Sequence, residues 1–126
     1  MRRFRYVVAD VFTDVALAGN QLAVFTDARD LTTEDMQTLA LELRLSETVF
    51  VLPPDDDATA RIRIFTPSNE LPFAGHPVLG TAIFLALRTA SDQVTLATGA
   101  GLVPITIDQP GTGRMTQPVP DWSAFP

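Results

Sequence analysis

The stretch ELPFAGHPVLGTAIFLALR, residues 70–88, carries the longest apolar run of the chain and its single histidine. It begins as an irregular loop punctuated by Pro72 and Gly75. Pro77 suits the first position of a helix, where the N–H it lacks would have no partner. From Val78 to Leu87 the helix is apolar nearly all round. Gly80, Thr81 and Ala82 are small enough to let other elements approach closely. A helix of this kind must be enclosed on several sides and not laid on a surface. It is too short to span a bilayer, so the rest of the chain has to wrap it.

That rest reads mostly as strands. FRYVVADVF (4–12) is rich in aromatic and β-branched residues and QLAVF (21–25) follows the turn pair Gly19-Asn20. TVFVL (48–52) and ARIRIFTP (60–67) are two more, the latter alternating Arg outward with Ile and Phe inward. QVTLAT (93–98) and LVPITID (102–108) read as a pair joined at Gly99–Gly101, and RMTQPVP (114–120) as a last strand. Between them, Met36, Leu39, Ala40 and Leu43 recur at helical spacing behind a Thr32–Asp35 capping box. The expectation is an α+β domain of six or seven strands and two helices. A curved sheet wraps the apolar helix, and the acidic amphipathic helix lies outside.

The 126 residues are enough for one compact domain, and 46% hydrophobic with 19% charged residues is a globular balance. The net charge of −6 and the lack of any basic cluster argue against a nucleic-acid partner. Neither a signal segment nor a membrane span is legible, so a cytoplasmic protein is expected. There is no cysteine, which removes disulfides, thiolate nucleophiles and thiolate metal sites. All nine basic residues are arginine, which removes Schiff-base chemistry. Acid–base chemistry here must therefore run on a carboxylate, on His76, or on both.

Each candidate has two readings. His76, at the mouth of a helix, either caps it or works beside free N–H groups and the positive end of the dipole. Glu47 is either a surface turn residue or a carboxylate at the edge of the core, poised for proton exchange. Ser46 reads as a turn residue, since no base can be assigned to it. Asp55–Asp57 reads as a solvated turn, Gly99-Ala100-Gly101 as a weak glycine motif without a helix behind it, and Trp122 as a packing or interface residue.

Taken together, AGNQLAVF (18–25), LSETVFV (45–51), RIRIFTPSNELPFAGHPVLGTA (61–82) and DQP (108–110) resemble the PhzF-like isomerase family of phenazine biosynthesis. That family has the diaminopimelate-epimerase-like fold. The resemblance implies two similar domains in one chain, each a mixed β-barrel around a central helix, with a cofactor-free and metal-free active site in the cleft between them. It implies that Glu47 is the catalytic carboxylate that moves a proton between ring carbons of trans-2,3-dihydro-3-hydroxyanthranilate. His76 would help hold and polarise this small cyclic carboxylate. Ser46, Gly75 and Pro77 would line the substrate pocket. Related epimerases with paired cysteines carry a Cys-Gly-Asn type segment where this chain has Ala74-Gly75-His76, which argues against a two-thiol mechanism. Family members are about twice as long. Residues 1–118 are accordingly expected to be the N-terminal domain and 119–126 the linker beyond it. A homodimer or a separately encoded second half would complete the cleft, the alternative being an inactive binding domain.

Overall fold

The computed structural model describes residues 2–55 and 57–119. Its strands are β1 (Tyr6–Val11), β2 (Asn20–Phe25), β3 (Glu47–Leu52), β4 (Ala60–Phe65), β5 (Glu70–Leu71), β6 (Gln93–Thr98), β7 (Gly101–Gln109) and β8 (Thr112–Met115). Its helices are α1 (Thr33–Leu43) and α2 (Gly75–Thr89). All eight strands form one mixed sheet in the order β1-β2-β3-β4-β6-β7-β8, with β5 beside β4. The β2–β3 and β4–β6 pairs are parallel and the others antiparallel. Helix α2 touches β1 and β8, the two ends of this order, so the sheet is curled around it as expected. No helix among the described residues is long and apolar enough to cross a membrane.

Strand alternation sorts the side chains into two cores. Val49 and Val51 of β3 point inward with Leu22, Val24, Ile62 and Ile64, and pack on Val78, Ala82 and Ala86 of α2. Phe50 and Leu52 point outward and meet Met36 and Ala40 of α1. The middle of the sheet is thus covered on both faces, which is why β3 reads as an unbroken apolar run. On the outer face an aromatic row crosses four strands. Tyr6 stacks on Phe25 at 5.1 Å, Phe25 on Phe50 at 4.9 Å, and Phe50 meets the edge of Phe65 at 5.5 Å.

Several expectations need correction. Helix α2 starts at Gly75 after Ala74, so Pro77 is its third residue and not its first; the first turn tolerates proline throughout, because none of its N–H groups has a partner within the helix. The helix is enclosed on several sides as expected, but not all round. Leu87 is exposed and Leu79, Ile83 and Phe84 are only half-buried, because the sheet stays open between β1 and β8. Phe65 faces outward, in line with Arg61 and Arg63, and α1 is what buries it. The last strand is the short β8, and the two-residue β5 lies where a loop was expected. Residues 120–126, which hold Trp122 and most of the expected linker, lie outside the described residues.

The α1 capping box forms as read: Thr32 Oγ1 accepts from Asp35 N–H, and Asp35 accepts from Thr32 N–H, both at 3.0 Å.

The loop that leads to His76 is held from two sides. Arg63 donates two hydrogen bonds to Glu70, at 2.8 and 2.7 Å, and a third to Thr33 Oγ1 at 3.0 Å. This clasp ties β4, β5 and α1 together. On the other side the β6–β7 turn presses on Pro72. Ala100 N–H donates to Pro72 O at 3.2 Å, and a Cβ at Gly99 would lie 2.9 Å from Pro72 Cα. The weak glycine motif is therefore a close-packing device.

Gly99→Ala should push against backbone that cannot yield cheaply, and cost about 1–3 kcal/mol of stability, measured by denaturant unfolding. The clasp predicts a pH effect. The Arg63 hydrogen bonds hold the Glu70 carboxyl below its usual range. A lowered carboxylate contributes stability above its unfolded pKa, about 4.3, and loses it as pH falls through the lower folded value. The Glu70 side chain is 39% exposed, so Glu70→Gln should cost under about 1 kcal/mol at pH 7. That gap between wild type and variant should close below about pH 4; a gap constant down to pH 3 would contradict the assignment.

Candidate active site

Glu47 is the first residue of β3. Helix α1 ends at Leu43, its C-cap Arg44 adopts a left-handed φ of 57° and donates its N–H to Ala40 O, and two further residues lead into the strand. Glu47 shares the parity of Val49 and Val51, which places its carboxylate on the inner face, toward α2. His76 is the second residue of α2. No side chain caps that end, and its first turn carries no acidic residue. The N–H groups of Gly75 and His76 thus have no acceptor within the helix, and Pro77 has none to offer.

These two element ends bring Glu47 Oε2 within 3.3 Å of His76 Nε2. The imidazole side chain is 8% exposed and the carboxylate 17%. Although the distance is short, the angles do not make a hydrogen bond, and both atoms are buried without a partner. Buried unpartnered polar atoms are rare in folded proteins and costly, so each needs a reason. Here the two sit together at the positive end of a helix. A carboxylate so placed can take a proton from a bound molecule and return it, while the imidazole and the helix N-terminus steady the charge that develops.

The other expected site residues are near but play different parts. Gly75 opens the helix, and a Cβ there would lie 3.5 Å from Met115 Cε. Pro77 is buried in the first turn. Ser46 is exposed, and its hydroxyl donates to Asn20 Oδ1 across a long 3.4 Å. Sequence reasoning missed two neighbours. Asn20 was read only as half of a turn pair, though it begins β2 beside Ser46. Phe12 was read as the end of a strand, but its ring lies 6.3 Å from that of His76.

A groove of about 740 Å³ among the described residues does not contain the pair. It follows the open seam between β1 and β8, floored by Leu79, Ile83 and Leu87, with Phe12 at its edge. The chemistry is argued from the pair and not from the groove, because the seam is lined mainly by apolar side chains and backbone.

Comparison with known proteins identifies the family and the fold. Residues 9–125 match the family model described as phenazine biosynthesis-like protein, PhzC-PhzF. The chain is 53% identical over 125 residues to the trans-2,3-dihydro-3-hydroxyanthranilate isomerase of Pseudomonas aeruginosa, an alignment covering 96% of this chain and 45% of that protein. It superposes on a PhzF-family phenazine biosynthesis protein of Bacillus anthracis with a TM-score of 0.78 at 32% identity, covering 90% of this chain and 40% of the other. A predicted epimerase of Pseudomonas aeruginosa gives 0.76 at 44% identity, covering 82% and 38%. The chain thus spans under half the length of these relatives. The curled mixed sheet around α2 is the diaminopimelate-epimerase-like fold. With family model, relatives and fold in accord, the chain belongs to the PhzC-PhzF phenazine biosynthesis-like family and matches its N-terminal portion.

Proposed function

We propose that this chain forms one wall of a cofactor-independent isomerase site acting on a small cyclic carboxylate such as trans-2,3-dihydro-3-hydroxyanthranilate. Glu47 takes a proton from one ring carbon and returns it to another. The electron pair left behind moves through the ring's double bonds in between. No atom is gained or lost, and nothing is oxidised overall. His76 and the N–H groups at the start of α2 hold the substrate and steady its developing negative charge. Ser46, Gly75 and Pro77 shape the rim. The observation that carries this reading is the 3.3 Å approach of Glu47 Oε2 to His76 Nε2, buried and unpartnered. The name of the 53% identical relative supports the substrate class.

A second wall belongs to this reading. Residues 1–118 act as the N-terminal domain. A second domain, a separately encoded half or a second copy of this chain completes the cleft over the pair.

In the assembled protein, Glu47→Gln should lower deuterium exchange from D2O into the substrate by at least about 100-fold, the scale of a lost acid–base group. The melting temperature should hold, since Gln fills the same space. Exchange at the wild-type rate would remove Glu47 from the shuttle role. Sedimentation of the 126-residue chain should show a dimer, or a complex once a second half is supplied; a monomer unchanged in both conditions would sink the assembly.

A further inference from the structure

Phe12 bears two costs at once. Its side chain is 69% exposed, so it gains little from burial. Its backbone is left-handed, with φ at 64°, a conformation that strains any residue carrying a Cβ. Neither cost is relieved by the ring's own packing, because its only aromatic neighbour among the described residues is the His76 imidazole, 6.3 Å away and inclined by 55°.

The surroundings enforce this placement. Val11 is wedged against α2 at Gly80, where a Cβ would lie 2.7 Å from Val11 Cγ2. Past Phe12, Leu17 N–H donates to Asp10 Oδ2 at 2.7 Å, which folds the loop back on the strand. Gly19 closes it, with Thr13 Cγ2 and Val11 O each 2.5 Å from the site of a Cβ. The loop is pinned at both ends, and the ring is held near His76, whose Nε2 is buried without a partner. Strain that the fold maintains at such a place points to use.

We infer that Phe12 is a specificity-determining residue of this site: its ring makes face or edge contact with the flat diene carbons of the substrate's unsaturated ring, while Glu47 and His76 engage the polar groups. This rests on the reading of the pair as the active site. Contact between aromatic faces or edges is geometry-dependent, and a puckered saturated ring of equal charge cannot reproduce it. Phe12 thereby selects unsaturated rings over saturated ones.

The probes are benzoate and cyclohexanecarboxylate, which share a carboxylate and differ in the flatness of the ring. They are titrated into the purified 126-residue protein and followed by the NMR shifts of the His76 ring. Wild type should prefer benzoate by roughly two- to tenfold. Phe12→Gly should bring that ratio close to one, while the melting temperature holds or rises because glycine tolerates the left-handed φ. Phe12→Leu should keep part of the affinity for both probes and lose the preference. An unchanged ratio in Phe12→Gly overturns the inference, as does a wild type with no preference or no His76 response. Exposed Val15 and Leu17 on the same loop make a protein contact the rival use. If Phe12→Gly alters association in sedimentation and leaves the ratio alone, the ring serves an interface and the inference falls. The ratio needs no turnover. A lost preference argument with an intact Glu47 effect on exchange fails this inference alone, and the reverse fails only the shuttle.

Discussion

The burial of α2 is the constraint on which the rest of this structure depends. Its inward side carries Val78, Ala82 and Ala86 among other apolar residues, and it has no polar face to offer water. The sheet solves this by curling until both edge strands touch the helix. The two parallel pairs follow from the two crossovers, each of which includes a helix. One crossover carries α1 over the outer face from β2 to β3, and the other carries α2 through the inside on the way from β4 to β6. With helices on opposite faces, Leu22–Phe25 of β2, nearly all of β3 and the Phe65 end of β4 are buried on both sides. Close packing is what permits this, and Gly80 shows how close: Val11 and Leu22 occupy the space a side chain would need.

The same packing determines the site. The N-terminus of a helix held in the centre of a curled sheet emerges at the sheet's mouth, where β1 ends and β2 and β3 begin. His76 is carried there by α2. Glu47 is carried there by register. Because faces alternate along a strand, Val49 and Val51 in the inner core oblige Glu47 to point the same way. A slip of one residue would turn its carboxylate outward, on the side of Phe50. Core packing thus positions the carboxylate, and the parallel pairing of Leu22 with Glu47 locks it. The Arg63–Glu70 clasp and the Pro72 contact do the corresponding work for the loop before His76.

What the sequence revealed divides along the same lines. Local features were legible. The Thr32–Asp35 box announces α1 because both partners lie within one turn, and the Arg61–Ile62–Arg63–Ile64 alternation announces β4 because its period is intrinsic. Features that depend on closure were not. The open side of α2 depends on whether β1 and β8 meet, which no window of sequence records. Phe65 looks like an inner residue until α1 is placed over it. The start of α2 was misplaced because Ala74 offers no capping side chain and Pro77 is tolerated anywhere in the first turn. As for the pair, local pattern put Glu47 and His76 only at the ends of separate elements. Their meeting came from resemblance to a family, and the 3.3 Å distance is what the fold adds. Phe12 and Asn20 left no signal beyond strand and turn propensity.

The absence of cysteine gives the proposed chemistry its stereochemical sense. A pair of thiols works from two sides of a substrate, one removing a proton and the other delivering it to the opposite face. A single carboxylate on one wall reaches only one face of a bound ring. If Glu47 is the shuttle, removal and return of the proton occur on that face, and the product keeps the handedness this imposes. A second wall, if it completes the proposed site, would then have no proton to supply. On that reading its work would be to hold the ring against the first wall. That division of labour is consistent with a wall that already carries the carboxylate, the imidazole, the helix N-terminus and an aromatic ring fixed beside them.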